Sequence, residues 1–131
     1  MSVTVGAERY ALAVEDVLEV VELGAITPVP GAGPAILGVR NVRGNVMAVA
    51  DLATVLGIQA LHAPSRLVVA EEGGRRVGLA VETVSDVGTV GEATQEADSP
   101  YLRGATFVDG ALVGLVDLGA VLDALAAAHA P

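Results

Sequence analysis

His62 and His129 are the only imidazoles in the chain, and cysteine and lysine are both absent. Those absences remove thiol nucleophiles, thiolate metal sites, disulfides, a Schiff-base lysine and the lysine of a phosphate-binding loop. His62 falls in a connector with Pro and Ala, and His129 in the C-terminal tail. Neither has a second ligand at metal spacing, so both read as surface residues. No serine stands in a Gly-x-Ser-x-Gly elbow; Ser65, Ser85 and Ser99 fall in turn or loop sequence. Gly31-Ala32-Gly33 touches on a dinucleotide loop, but Ile36 stands where the third Gly belongs and Pro34 interrupts. The sequence announces no catalytic residue, no metal site and no cofactor.

The carboxylates have structural explanations. Asp51 and Asp117 each precede an apolar helical turn and can cap it. Glu71 and Glu72 read as hairpin surface charges, and Glu15 and Glu82 as strand-end positions that recur in both halves. Arg43 is different. It sits in Val42-Arg43-Gly44 at a turn whose counterpart in the second half carries Asp109, so the turn does not demand Arg. Its fixed donors suit a partner's carboxylate or carbonyls. They suit an ion pair within its own lobe, with Asp51 or Glu19, equally well.

Length and composition set the frame for these residues. The chain has 131 residues, 53% hydrophobic and 18% charged, enough to bury a core and to rule out disorder. Mean hydropathy is +0.61, yet no run reaches the roughly 18–20 apolar residues of a membrane helix. No signal peptide is visible, and the expectation is a cytoplasmic protein. Sixteen acids against seven bases give a net charge of −9, which argues against nucleic acid or an anionic membrane as the main partner. The abundance of Val favours strands.

Local pattern then places the elements. Val3 and Val5, then Tyr10, Leu12 and Val14, alternate around Gly6 and read as a hairpin. Residues 15–23 fit a short helix or a strand. Residues 27–38 read as a Pro- and Gly-set loop, and residues 39–42 and 45–50 flank the Arg43-Gly44 turn. Asp51, Leu52, Val55, Leu56 and Gly57 spell a capped apolar turn with a C-terminal stop. Residues 67–72 and 75–81 flank Gly73-Gly74; that register sets Glu72 against Arg75 and Glu71 against Arg76. Residues 92–100 read as exposed loop, and Asp109-Gly110 joins a further hairpin. Asp117 opens a helix with Leu118, Val121, Leu122 and Leu125 on one face, and residues 126–131 are expected to fray.

The halves repeat. Residues 9–20 match residues 76–87 at 7 of 12 positions, and residues 38–56 match residues 104–122 at 7 of 19. In the second pair Gly38, Gly44, Asp51-Leu52 and Val55-Leu56 recur as Gly104, Gly110, Asp117-Leu118 and Val121-Leu122. A period near 66 residues suits two like lobes, and short strands with tight turns favour small β-barrels.

These residues resemble a known family. The order Tyr10-Ala11-Leu12-Ala13-Val14, Val17-Leu18-Glu19-Val20, Gly38-Val39-Arg40-Asn41-Val42-Arg43-Gly44 and Asp51-Leu52 is similar to that of CheW-like domains of bacterial chemotaxis coupling proteins. The likeness spans nearly the whole chain. It implies a mainly β fold of two SH3-like five-stranded β-barrel lobes on a shared apolar seam. The lobes would be related by internal duplication, with short helices. Residues 1–131 would form a single domain of two intertwined lobes, with repeat units 1–64 and 65–131. It implies a non-enzymatic adaptor that couples methyl-accepting chemoreceptors to a CheA-type histidine kinase in chemotaxis or related motility. Such a protein has no cofactor, binds no nucleic acid and does not insert into the membrane, although it is recruited to membrane receptor arrays. The receptor-binding residues implied are Arg43, Glu19, Val17 and Val20. The kinase contact implied is exposed apolar surface at lobe ends, which the sequence does not place. The alternative is a divergent regulator that holds a peptide or small molecule in the groove between lobes. Ala53 stands where the family often has Arg, and Glu82 where it usually has Asp.

Overall fold

A computed structural model describes residues 1–85 and 92–128, leaving aside the side chain of residue 128. The strands are β1 (Ser2–Val5), β2 (Glu8–Ala11), β3 (Val17–Glu22), β4 (Ile36–Val42) and β5 (Asn45–Asp51), then β6 (Arg66–Glu72), β7 (Arg75–Val81), β8 (Thr83–Ser85), β9 (Leu102–Val108) and β10 (Ala111–Val116). Two helices, α1 (Leu52–Leu56) and α2 (Leu118–Ala128), follow β5 and β10. The strands form two five-stranded sheets, β8-β1-β2-β10-β9 and β3-β6-β7-β5-β4. This is the mainly β architecture expected, and the SH3-like description fits it.

The two orders are the same order once the halves are exchanged. Under the repeat, β8 corresponds to β3, β1 to β6, β2 to β7, β10 to β5 and β9 to β4. Each sheet contains one parallel pair at its centre, and the registers agree: Leu115 pairs with Ala11 in one sheet, Val49 with Gly78 in the other. Gly38 and Gly104 mark the same bulge position with φ of 149° and 145°. The Asp51 amide donates to Ala35 O and the Asp117 amide to Tyr101 O, both at 2.8 Å. Each sheet therefore takes strands from both halves of the chain, because the β1–β2 hairpin joins β8, β9 and β10 while the β6–β7 hairpin joins β3, β4 and β5.

Burial follows from this layering. The middle strands have apolar residues on both faces, since both faces are covered. Along β6, Val68 and Ala70 enter a large core shared by the sheets, while Leu67 and Val69 enter a smaller one inside the second sheet. On β7, Val77, Leu79 and Val81 face the shared core and Ala80 the smaller one. Val113, Leu115 and Ala11 form the matching small core of the first sheet. The helix residues Leu118, Val121, Leu122 and Leu125 close the shared core.

Several local expectations are met and several are corrected. Glu72 lies opposite Arg75 and Glu71 opposite Arg76, across a turn where Gly73 and Gly74 have φ of 59° and 77°. Residues 15–23 resolve into a 3-10 turn, Val14–Asp16, and strand β3. A register shift between Val17 and Glu19 inserts Leu18 and breaks the alternation that would have identified a strand. The loop 27–38 is shorter than its composition suggests, for β4 already begins at Ile36. The helix α2 runs to Ala128 rather than fraying from residue 126, because Leu125 is anchored in the core. Val87, His129 and the remaining tail lie outside the described residues. Among the described residues, no helix is long and apolar enough to cross a membrane.

Candidate functional site

The turn between β4 and β5 is built by a side chain. Asn41 Oδ1 accepts the Gly44 amide at 2.8 Å, closing the loop around Val42 and Arg43. Arg43 is thereby held in the left-handed region at φ 51°, next to Gly44 at φ 86°. A residue with a Cβ is disfavoured there, and Gly or Asn would serve the backbone better. The equivalent turn holds Asp109 at φ 49°, so geometry is shared and charge reversed.

The Arg43 guanidinium is positioned by Glu19. Its Nε lies 2.9 Å from Oε1 and 3.2 Å from Oε2. Arg43 is 75% exposed and Glu19 27%. The pair engages Nε, and among the described residues the two terminal nitrogens of the fork have no hydrogen-bond partner. The carboxylate also holds the guanidinium's proton more firmly than usual. Glu19 and Arg43 are the two charged residues the sequence singled out, and the fold brings them together. Val17 and Val20 are placed differently. Both are half-buried and pack against the shared core, on either side of Glu19 on β3. Exposed Leu18 at the bulge and exposed Val46, opposite Asn41, add apolar surface beside the pair.

Sequence reasoning missed a second surface. On the equivalent hairpin Phe107 and Leu112 are cross-strand partners, 59% and 53% exposed. The signal was present: they are the repeat counterparts of Asn41 and Val46, flanking the other turn. An aromatic and a leucine side by side at a hairpin tip form an apolar patch on a molecule otherwise poor in aromatics.

The other carboxylates are occupied structurally. Asp117 Oδ1 accepts the Ala120 amide at 3.1 Å, a helix cap, as expected. Asp51 corrects the parallel expectation, for its carboxylate takes the Thr54 hydroxyl at 2.8 Å and no backbone amide. Arg75 joins Glu72 at 3.4 Å and Asp123 of α2 at 2.7 Å. Glu82 is buried and Glu15 exposed, so the recurring acids do not share one role. Among the described residues no group of three His, Asp or Glu is placed to hold a metal. His62 is exposed in the connector. An apolar slot of about 200 Å³ lies on the seam, where Ala35 and Val55 meet Tyr101 and Leu125.

Comparison with known proteins bears on the family and the fold. The CheW-like domain model matches residues 1–126. The chemotaxis protein CheW of Rhizobium meliloti is 31% identical over 127 residues, 89% of this chain and 82% of that protein. The chemotaxis protein CheW of Bacillus subtilis is 30% identical over 129 residues, 91% of this chain and 83% of its own. Among solved structures, the scaffolding protein TtCheW of Thermoanaerobacter tengcongensis superimposes with a TM-score of 0.79 at 26% identity. That match covers 88% of this chain and 86% of TtCheW. This chain belongs to the CheW-like domain family.

Proposed function

We propose that this chain, a CheW-type chemotaxis adaptor, couples chemoreceptors to a CheA-type histidine kinase. The observation that carries the reading is Arg43, held out on an unfavourable backbone by Asn41 and aimed by Glu19. Such an arrangement suits recognition of a partner rather than turnover of a substrate. The outward fork would meet a carboxylate or carbonyls on the receptor, with Leu18 and Val46 burying apolar area beside it. Val17 and Val20 would act by fixing β3, and with it Glu19, against the core. The Phe107–Leu112 patch is the apolar lobe end best suited to the kinase. The protein would then work at membrane receptor arrays without entering the bilayer.

The slot on the seam, at about 200 Å³, is smaller than the roughly 300–1,000 Å³ of ordinary ligand pockets, whereas an open cleft beside Leu12, Glu15 and Arg103, at about 540 Å³, lies within that range. The test is a pull-down with purified full-length protein from its own cell lysate, read by mass spectrometry. Recovery of a CheA-type kinase together with a receptor, lost for the receptor with Arg43→Glu, is the expected result. Recovery of neither, with another signalling protein in their place, would overturn the coupling role.

A further inference from the structure

Glu82 follows β7, is buried, and has no cationic partner within ion-pair distance among the described residues. Its Oε2 accepts two backbone amides, Gly6 at 2.7 Å and Leu61 at 3.3 Å. Those donors come from different places: Gly6 is in the β1–β2 turn of one sheet, and Leu61 is in the connector between the halves. Glu82 itself sits between β7 of the other sheet and β8. The backbone of Glu82 adds to the junction, since its amide donates to Thr4 O at 3.2 Å and its carbonyl accepts the Ser65 hydroxyl at 2.6 Å.

A second feature brings the connector to the same point. A Cβ on Gly6 would lie 2.5 Å from Gln59 O and 3.1 Å from Ile58 Cγ2, so the connector rests directly on the turn. Gly6 also has a φ of 60°. Glycine here serves contact as well as conformation. Ile58, just beyond α1, packs half-buried against the shared core.

We propose that Glu82 is a latch: through one carboxylate oxygen it holds the connector closed as a strap over the β1–β2 turn, and so fixes the setting of the two sheets. A buried acceptor with two amide donors is costly to remove, because both donors lose a partner. The device does not depend on the coupling role. In the repeat counterpart, Glu15 is exposed, and among the described residues nothing lies within 4 Å of a Cβ built on Gly73 in the β6–β7 turn. The latch is thus specific to the junction between halves.

Amide hydrogen exchange on the full-length protein tests this. Glu82→Ala should speed exchange at Gly6 and Leu61 by about tenfold or more, while amides in β6 and β7 change by less than about twofold. Glu82→Gln keeps one acceptor oxygen and should restore most of the protection. Gly6→Ala, which displaces the connector sterically, should open Leu61 in the same local manner and serves if the Glu82→Ala protein does not fold. Unchanged exchange at Leu61 in these variants would overturn the latch. So would a uniform acceleration across the sheets, which would mean that Glu82 supports only global stability.

Discussion

Arg43 and Glu19 form an ion pair at 2.9 Å although they belong to opposite edges of one sheet. Arg43 leaves β4, the last strand in the order, and Glu19 stands on β3, the first. Strands lie about 4.8 Å apart, so a flat sheet would separate its edge strands by roughly 19 Å, beyond the reach of the two side chains. The sheet must curl strongly, and the contact closes its open side. That curl puts Val42, Met47 and Val69 into an interior of their own.

Arg43→Glu should weaken receptor binding and leave the fold intact. The pair is exposed, and exposed ion pairs add little to stability. Thermal melting should show a shift of no more than a few degrees, while binding to a receptor tip fragment falls sharply. A large drop in melting temperature would mean that Arg43 holds its own lobe together.

Phe107→Ser combined with Leu112→Ser should leave melting unchanged or slightly improved, because both side chains already face water. Kinase binding, measured by calorimetry with the kinase's regulatory domain, should weaken at least tenfold. Undiminished binding would remove this hairpin from the kinase contact.

The two helix-opening aspartates should respond differently. Asp117→Ala loses a cap to the Ala120 amide and should cost about 1 kcal/mol. Asp51→Ala loses only the bond from the Thr54 hydroxyl and should cost less. Chemical denaturation of the two variants gives the comparison; equal losses would contradict it.

Asp16 has a pKa raised above the usual carboxylate value by burial, and further by Glu15 and Glu72, with Arg103 opposing. A carboxyl whose folded pKa is raised binds protons more readily in the folded state, so its penalty appears as pH rises through that value. Asp16→Asn should therefore raise the melting temperature at pH 7, and the gain should vanish in acid below the carboxylate range. A gain that persists at low pH would point to some cause other than charge.

Because the β1–β2 hairpin pairs with strands of the second half and the β6–β7 hairpin with strands of the first, neither half holds a complete sheet. Residues 1–64 and 65–131, expressed separately, should each be unfolded by circular dichroism and should recover β structure on mixing. An independently folded half would show that the lobes are separable.

Much of this was legible in the sequence, for reasons particular residues make clear. The Gly73-Gly74 hairpin was readable because its turn and its cross-strand charges both fix one register. The repeat was readable because Gly, Asp-Leu and Val-Leu mark backbone positions that cannot drift. The strand at Val17 was obscured by the Leu18 bulge, and the strand exchange by the absence of any local signal for which sheet a strand joins. Arg43 could be picked out by its turn and Glu19 named beside Asp51 as a candidate partner, but the choice between them rests on the curl of the sheet. Phe107 and Leu112 escaped because in single-chain pattern they look like core; only the fold leaves them outside.

The most direct test of the coupling role is kinase activity in a reconstituted mixture of receptor-bearing membranes and the CheA-type kinase, with and without this protein. Receptor-dependent stimulation of autophosphorylation that requires the wild-type chain and fails with Arg43→Glu is the predicted result. Stimulation that is the same without the protein, or with Arg43→Glu, would contradict the account.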